Sequence, residues 1–191
     1  MSLDEAKAHF PNLEFHVRWR PFELNPDLPK GKGNDKMKYY ESKFGPEMVR
    51  SMIPRMKTTA AEYGINMEYG GHVGNTFDSH RLIWKAYSYG GSNLQDKVVN
   101  QLFISYFEEN KSLGELSVLE ECASKAGYND LAELNTFLSN SESGSEEVQQ
   151  EMQQYGRTYQ CTGVPMFIID EKYKLSGAQD PSAFLRVFDK L

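Results

Sequence analysis

Apolar residues recur every three to four positions through the middle of the chain, which is the spacing of one face of an α-helix. The stripe of Met37, Tyr40 and Phe44 is one example, and it ends at a Gly-Pro pair that interrupts helices. Glycines, prolines and short polar stretches separate this stripe from six others. The pattern predicts helices over residues 35–44, 46–64, 76–89, 94–109, 115–126, 131–138 and 146–159.

A different period appears towards the two ends of the chain. Residues 13–22 alternate apolar and polar side chains, which favours a strand closed by Pro21. Residues 166–169 are four consecutive apolar residues with charges after them, as in a strand buried on both faces. Residues 173–178 follow at hairpin distance. Asp180 and Pro181 then provide the N-cap and the first residue of a closing helix.

The apolar positions also predict which helix faces are buried. We expect the helix over 46–64 to gather one apolar stripe on one face, and its methionines favour a core or a plastic groove wall over a cofactor site. That stripe consists of Met48, Met52, Met56 and Tyr63. We expect the closing helix to turn inward Phe184, Leu185, Val187, Phe188 and Leu191.

Length, charge and cysteine content narrow the class of protein. The 191 residues suffice for one domain with a sizeable core. The net charge of −6 argues against nucleic acids and anionic membranes as partners, because both need a basic face. No apolar run approaches the roughly 18–20 residues of a membrane span, and the first residues lack a secretory signal. Cys122 and Cys161 lie too far apart to indicate a disulfide framework, so we expect the cytoplasm.

Four blocks of sequence carry a resemblance to a known family. They are RWRPFELNP at 18–26, NTFDSHRL at 75–82, LFISYF at 102–107, and Gly-Val-Pro at 163–165 with the strand, hairpin and Ser-Gly-Ala-Gln that follow it. From about Leu13 to the C-terminus, their order and spacing resemble the thioredoxin-fold proteins of the DsbA family, and specifically its FrnE-like branch. Four ordered blocks are a more specific signal than any one of them.

The resemblance implies an α/β fold in which a thioredoxin-like sheet carries a large helical insertion. We expect a single domain over 1–191, with 1–30 and 161–191 as the thioredoxin part and 31–160 as the insertion. Residues 2–9 correspond to the end of the family's first helix, and residues 13–22 to its second strand. The family's first strand, its C-x-x-C motif and most of its first helix have no counterpart in this sequence.

The absence of the C-x-x-C motif and of the first strand affects both the expected redox chemistry and the expected thioredoxin-like sheet. In the family the cysteine pair lies at a helix N-terminus, where partial positive charge favours the thiolate. Without the pair we expect this chain to be inactive in dithiol exchange. A missing central strand also leaves unpaired sheet edges. Either residues 13–22 move against the hairpin, or the sequence is a truncated version of a longer gene product, which is the hypothesis we favour.

The candidate substrate-binding residues are Val164, Pro165 and His80. In the family, the residue before a cis-proline offers its backbone to an extended peptide or to glutathione. The resemblance implies this role for Val164, with a cis Val164–Pro165 bond. His80 lies at the start of a helix that approaches the active-site face in related folds, so it would tune or protonate a thiolate; capping or packing is its alternative role. No catalytic residue is assigned, and the histidines lack the spacing of metal ligands.

Both cysteines are expected to be structural. Cys161 lies four residues before Pro165, close enough in sequence for a mixed disulfide with a substrate. It has no adjacent basic residue, however, and a free cysteine is more often a small buried apolar residue. Cys122 lies on a predicted helix beside glutamates, which raise the pKa of a thiol.

Three functions remain open at this point. The first is a DsbA-like thiol–disulfide oxidoreductase that acts on a substrate protein or a small thiol. The second is a glutathione-dependent transferase or isomerase of the kappa or hydroxychromene-carboxylate type. Residues 176–179 disfavour it, because they lack the Ser-Asp pair that holds the glutathione amine in those relatives. The third is a non-catalytic module that binds peptides. Apart from glutathione no cofactor is expected, and the oligomeric state is open.

Overall fold

The computed structural model describes the backbone of residues 3–191 and the side chains from residue 5 onward. Helices dominate this part of the chain, and two short antiparallel strand pairs accompany them. The elements are α1 (Leu3–His9), β1 (Asn34–Asp35), α2 (Lys36–Phe44), α3 (Pro46–Glu62), β2 (His72–Val73), α4 (Phe77–Phe107), α5 (Leu116–Lys125), α6 (Leu131–Ser139), α7 (Ser145–Tyr159), β3 (Met166–Ile169), β4 (Tyr173–Ser176) and α8 (Pro181–Phe188).

The helical middle of the chain agrees with the spacing of its apolar residues. Gly45 separates α2 from α3 and has a φ of 83°, a conformation that favours glycine. The long helix α4 is interrupted at Gly91, where a φ of 68° and a ψ of −164° are not helical. The two helices predicted on either side of this glycine are therefore two segments of α4. The prediction of an α/β fold with a large helical insertion is confirmed.

The main hydrophobic core lies where α4, α5 and α6 meet. Leu82, Leu119 and Leu134 are fully buried there, and burial of one such side chain contributes about 1.5–3 kcal/mol. Tyr128 stacks on Tyr89 with ring centroids 4.3 Å apart. None of the buried core members among the described residues comes from α2 or α3, so these two helices attach to the rest of the protein by other contacts.

α3 buries a different face from the predicted one. Its buried residues are Val49 and Ala60, whereas Met48 and Met56 are 59% and 42% exposed and Tyr63 is 78% exposed. The core alternative is therefore wrong for Met48 and Met56, whereas Met52 is half-buried and the groove-wall alternative stays a prediction. The sequence pattern does not separate the two faces, because both sets of residues recur with helical spacing. The smaller side chains of Val49 and Ala60 allow a closer approach of neighbouring backbone, which the sequence pattern alone does not rank.

The closing helix begins as predicted. Asp180 accepts a hydrogen bond at 2.9 Å from the backbone N–H of Ser182, and Pro181 takes the first helical position. Val187 is buried on the inner face. Leu191 is 49% exposed, so its predicted inward position is wrong. The helix ends at Phe188, so Leu191 lies beyond it and does not continue its inner face.

Two antiparallel strand pairs are present. β3 pairs with β4 in a register that places Phe167 opposite Leu175, which confirms the predicted hairpin. The shorter pair of β1 and β2 places Asp35 opposite His72. Among the described residues, every helix is too short or too polar to cross a membrane.

Residues 13–22 form no strand, and that prediction is wrong. They join neither strand pair. The backbone of Trp19 pairs instead with a side chain, because its N–H donates to Gln95 Oε1 at 2.9 Å and its C=O accepts from Gln95 Nε2 at 3.1 Å. A ladder requires a second backbone at strand spacing, and at Trp19 an amide side chain occupies that place.

α8 holds the hairpin and residues 13–22 on one surface. Phe188 contacts Phe15 with ring centroids 5.1 Å apart. One turn earlier, Phe184 contacts Phe167 of β3 at 4.9 Å. The two segments therefore lie over adjacent turns of one helix, although no backbone hydrogen bond joins them in the described part of the chain.

Candidate functional site

The turn before β3 presents an exposed and unpaired backbone. The Val164–Pro165 peptide bond is cis. The carbonyl of Pro165 accepts the N–H of Gly177 at 2.8 Å, which continues the hairpin by one residue pair beyond the strands. Val164 is 47% exposed, and neither its N–H nor its C=O has a hydrogen-bond partner within residues 3–191. Its backbone is therefore available to another chain.

β3 has one paired edge and one open edge. In an antiparallel ladder, successive residues of a strand alternately bond to the neighbouring strand and face away from it. Because Pro165 is bonded to Gly177, this alternation turns the backbone groups of Val164, Met166 and Ile168 away from β4. No strand of the described chain pairs with them. We call the backbone of these three residues the open edge.

His80 lies in the first turn of α4 with one ring nitrogen unsatisfied. Its Nε2 is shielded from solvent and has no hydrogen-bond partner. The other ring nitrogen, Nδ1, is therefore the one that bonds to the backbone of Phe22. Because a carbonyl only accepts, Nδ1 donates in this bond and carries the proton. Burial lowers the pKa of His80 to about 4, and the bond to Phe22 opposes that shift. His80 is therefore a neutral imidazole with a free lone pair on Nε2.

Polar residues surround His80 at the N-terminus of α4. Asn75 Oδ1 accepts the N–H of Phe77, the first residue of α4, at 2.9 Å, and Asn75 Nδ2 donates to the Glu23 carboxylate at 3.3 Å. Burial raises the pKa of Glu23, the hydrogen bond from Asn75 lowers it, and the charge of Asp78 raises it further. The region therefore disfavours additional negative charge.

Arg81 follows His80 and has a structural role that the sequence did not identify. Its guanidinium is fully buried, bonds to Asp78 at 2.8 Å and donates to backbone carbonyls around the end of α6. These carbonyls belong to Phe137, Leu138, Asn140 and Ser143. The available signal was the Asp78–Arg81 pair at i,i+3 spacing ahead of the apolar residues Leu82 and Ile83, since a buried charge must be paired or fully hydrogen-bonded.

Two arginines attach residues 13–22 to the helical insertion. Arg18 lies over the ring of Tyr87 at 4.0 Å, and Arg20 lies over the ring of Tyr155 at 4.3 Å. Both guanidinium groups bond to Glu151, at 2.5 and 2.9 Å. The segment is thus held by side chains, which leaves most of its backbone without a strand partner.

The two cysteines lie in different environments. Cys122 is fully buried, and its Sγ lies 3.2 Å from Ser105 Oγ. Burial raises the pKa of the Cys122 thiol, the bond to Ser105 lowers it, and Glu121 raises it again. Cys161 is half-buried, and its thiol donates to the carbonyl of Gly163 at 3.4 Å. Both are free thiols.

The turn after β4 lacks an available carboxylate. Gln179 Nε2 donates to the carbonyl of Ser176 at 2.6 Å, so its side chain closes the turn. The following carboxylate, Asp180, is used in capping α8. A cationic amine at this turn therefore meets no free acidic group within residues 176–180.

The structure does not join all of the predicted site residues. Val164 and Pro165 are adjacent at the start of the hairpin, whereas His80 lies in the first turn of α4 and bonds to the backbone of Phe22. No hydrogen bond connects His80 with Val164 or Pro165 in the described chain. Any shared role of His80 and the open edge therefore remains a prediction.

Comparison with known proteins gives the family. A solved structure of a protein from Streptomyces coelicolor, described as a probable DsbA oxidoreductase, is similar with a TM-score of 0.79 and 26% sequence identity, over 90% of this chain and 73% of that chain. No curated protein matches this chain. Residues 1–189 match the family described as the DSBA-like thioredoxin domain. The chain therefore belongs to the DSBA-like thioredoxin domain family.

Proposed function

We propose that this chain binds extended polypeptides that carry a thiol or a disulfide, and that it belongs to the FrnE-like branch of its family. Thiol–disulfide oxidoreduction is the activity supported for the family as a whole. We propose the cytoplasm as its location. We also propose one domain over 1–191, with 1–30 and 161–191 as the thioredoxin part and 31–160 as the insertion.

The open edge is the observation that carries this proposal. Val164, Met166 and Ile168 provide alternate backbone groups without a partner in the described chain. An added strand satisfies such groups by main-chain hydrogen bonds, whatever the sequence of the substrate. The exposed side chains of Val164 and Phe167, 47% and 37% exposed, add apolar contacts to that strand.

His80 is proposed to assist from the N-terminus of α4. Its lone pair on Nε2 suits a hydrogen bond from a donor group, such as a thiol, once substrate or a segment of chain approaches. Its neutral state at pH 7 follows from its lowered pKa. The imidazole therefore acts as an acceptor in this proposal and does not stabilise a thiolate by charge.

Dithiol turnover requires a cysteine pair that this sequence does not hold. Cys122 lies in the core and Cys161 lies before the hairpin, so we expect no catalysis of disulfide reduction by this chain.

Peptide binding is best tested by changing the ligand and leaving the protein intact. A fluorescent ten-residue peptide from a disulfide-bearing protein, with cysteine replaced by serine, is titrated with the chain while anisotropy is recorded. Two further peptides carry N-methyl groups on alternate residues, one series on the odd positions and the other on the even positions. Strand pairing uses the N–H groups of only one series.

The expected result is that one methylated peptide loses at least about tenfold in affinity, the cost of one or two hydrogen bonds, while the other binds like the parent. Equal binding by all three peptides contradicts strand pairing. A Val164→Pro variant removes one N–H of the open edge and weakens the parent peptide, and Val164→Ala is the matched control that keeps it.

The structure gives no support to the glutathione-dependent alternative. The turn over 176–179 is closed by Gln179, and the neighbouring acidic group caps a helix. Calorimetric titration with glutathione is expected to give no heat at millimolar concentration.

A further inference from the structure

Lys36, the first residue of α2, is buried without an acidic partner. Its side chain is 1% exposed. Its Nζ donates to the backbone carbonyl of Tyr106 at 2.9 Å and lies 3.9 Å from the centre of the Tyr106 ring. No carboxylate lies within ion-pair distance of this ammonium in the described part of the chain. A lysine is rarely buried in this way unless it is paired.

Further tyrosines cluster around Tyr106, the residue whose carbonyl and ring Lys36 contacts. Tyr40 and Tyr106 share a hydrogen bond at 3.2 Å, and the ring of Tyr40 packs against those of Tyr39 and Tyr69, with centroids about 6 Å apart. Burial raises the pKa of Tyr106 and of Tyr69. The Tyr106 hydroxyl, which is the closer of the two to Lys36, therefore stays protonated while the buried lysine titrates.

Two other ionisable side chains lie on the adjoining strands. Asp35 accepts the backbone N–H of Lys38 at 2.9 Å and thereby caps α2. His72 lies opposite Asp35 in the register of β1 and β2. Neither side chain bonds to the Lys36 ammonium, which leaves it as the unpaired charge of the cluster.

Burial controls the protonation of Lys36. Desolvation lowers its pKa from 10.5 to about 8. The negative end of α4, where the Tyr106 carbonyl lies, attracts the ammonium, but the burial cost is larger. The folded state therefore releases the proton near pH 8, whereas the unfolded chain keeps it until about 10.5. The contact gains stability as the pH rises from about 8 to about 10.5 and loses it as the pH falls through 8.

α2 and α3 depend on this contact because they lie outside the main core. Their other links in the described chain are few and mostly polar. They include the two-residue pairing of β1 with β2, the bond from the Lys36 N–H to the Gly71 carbonyl at 3.0 Å, and the Tyr40–Tyr106 bond. They also include the contact of the Tyr40 and Tyr69 rings, the bond from Asn25 to the Tyr39 hydroxyl and a half-exposed ion pair of Lys57 with Glu68 at 2.8 Å. We propose that α2 and α3 form a unit that opens locally from the end of α4, and that protonation of Lys36 controls how readily it opens. This device is independent of peptide binding at the open edge.

Hydrogen–deuterium exchange tests the proposal directly. Protection factors of α2 and α3, corrected for the intrinsic pH dependence of exchange, are measured by mass spectrometry between pH 7 and pH 9.5. We expect them to rise by about 30-fold in the wild type, which is the change that midpoints near 8 and 10.5 give. Lys36→Met removes the titrating group, so its protection is expected to stay constant over this range.

Two controls separate this device from general effects. Lys38→Met removes an exposed lysine of the same helix, and its α2 and α3 protection factors are expected to rise with pH as in the wild type. The protection factors of peptides from α5 and α6 are expected to be the same in every variant as in the wild type. Equal pH dependence in wild type and Lys36→Met overturns the proposal. Should Lys36→Met fail to fold, ¹³C NMR of the lysine side chains decides: one midpoint near 8 supports the proposal, and all midpoints near 10.5 overturn it.

Discussion

Arg81 stabilises the join between α4 and the end of α6, since its guanidinium makes hydrogen bonds to four carbonyls and one to a carboxylate. Arg81→Lys keeps the charge but loses the planar fork of donors, and Arg81→Met loses all of them. We expect each to lower the free energy of unfolding by about 3–5 kcal/mol, as when a buried charge network is broken.

Urea unfolding followed by circular dichroism measures this change. Arg50→Lys is the matched control, because Arg50 makes only an exposed ion pair with Glu47; it is expected to change stability by less than about 0.5 kcal/mol. A loss below about 1 kcal/mol in Arg81→Lys contradicts the structural role of the guanidinium.

His80 makes stability depend on pH in the acidic range. Its folded pKa of about 4 lies below the unfolded value of 6.5. Between these values His80 is protonated in the unfolded chain and neutral in the folded protein. The contribution of neutral His80 to the free energy of unfolding is therefore complete above pH 6.5. It falls by up to about 3 kcal/mol as the pH drops from 6.5 to 4.

Urea midpoints measured from pH 7.5 to pH 4 test this prediction. His80→Asn keeps a donor for the Phe22 carbonyl and removes the titration, so its midpoint is expected to fall less steeply. His16→Asn replaces an exposed histidine and is expected to follow the wild type. Parallel curves for all three proteins contradict a neutral, buried His80.

The environments of the predicted site residues differ in how far the sequence reveals them. Val164 and Pro165 were found from the Gly-Val-Pro resemblance, and the unpaired backbone at Val164 agrees with a surface position. For His80, however, sequence alone gave no sign that Nε2 is shielded from solvent, because that depends on the path of residues 13–22. Arg81 lies next to His80, and its hydrogen bonds reach residues more than fifty positions away.

At the scale of elements, Gln95 substitutes for a strand beside residues 13–22. Its side chain bonds to both backbone groups of Trp19 and also to the carbonyl of Ile83. Gln95→Met has a similar length but no amide, so it leaves the N–H and the C=O of Trp19 without a partner, while the Ile83 carbonyl keeps its bond within α4. We expect a loss of about 2–4 kcal/mol, since each unsatisfied partly buried group costs about 1–3 kcal/mol and water recovers part of it.

Tryptophan emission reports on this change, because Trp19 is released while the core remains folded. Gln149→Met, on the exposed surface of α7, is the matched control and is expected to leave both emission and stability unchanged. Unaltered emission in Gln95→Met contradicts the account of this segment.

Local patterns predicted the elements that depend on local interactions. The hairpin followed from an apolar run, a charged turn and a second strand, and the structure has it in full register. The buried face of α3 depends instead on which side neighbouring backbone approaches, and Val49 and Ala60 lie there in place of the methionines. Residues 13–22 alternate as a strand does, but a strand needs a partner, and no sequence period reports whether one is present.

At the scale of the whole molecule, the two thiols lie in different environments and are expected to differ in reactivity. Cys122 lies in the core between α4 and α5, with a raised pKa, and Cys161 lies half-buried before the hairpin. Since the thiolate is the reactive form, iodoacetamide is expected to alkylate Cys161 in the native protein and Cys122 only after unfolding. Intact mass then shows one adduct in buffer and two in denaturant.

The same measurement addresses dithiol chemistry. Treatment with oxidised dithiothreitol is expected to leave the monomer without the 2 Da loss of an internal disulfide, because the two thiols are held in different parts of the fold. Insulin reduction is expected to run no faster with the wild type than with a Cys122→Ala, Cys161→Ser double variant. A 2 Da loss together with turnover above that control would mean that the two cysteines do meet, and binding at the open edge would then be one step of a catalytic cycle.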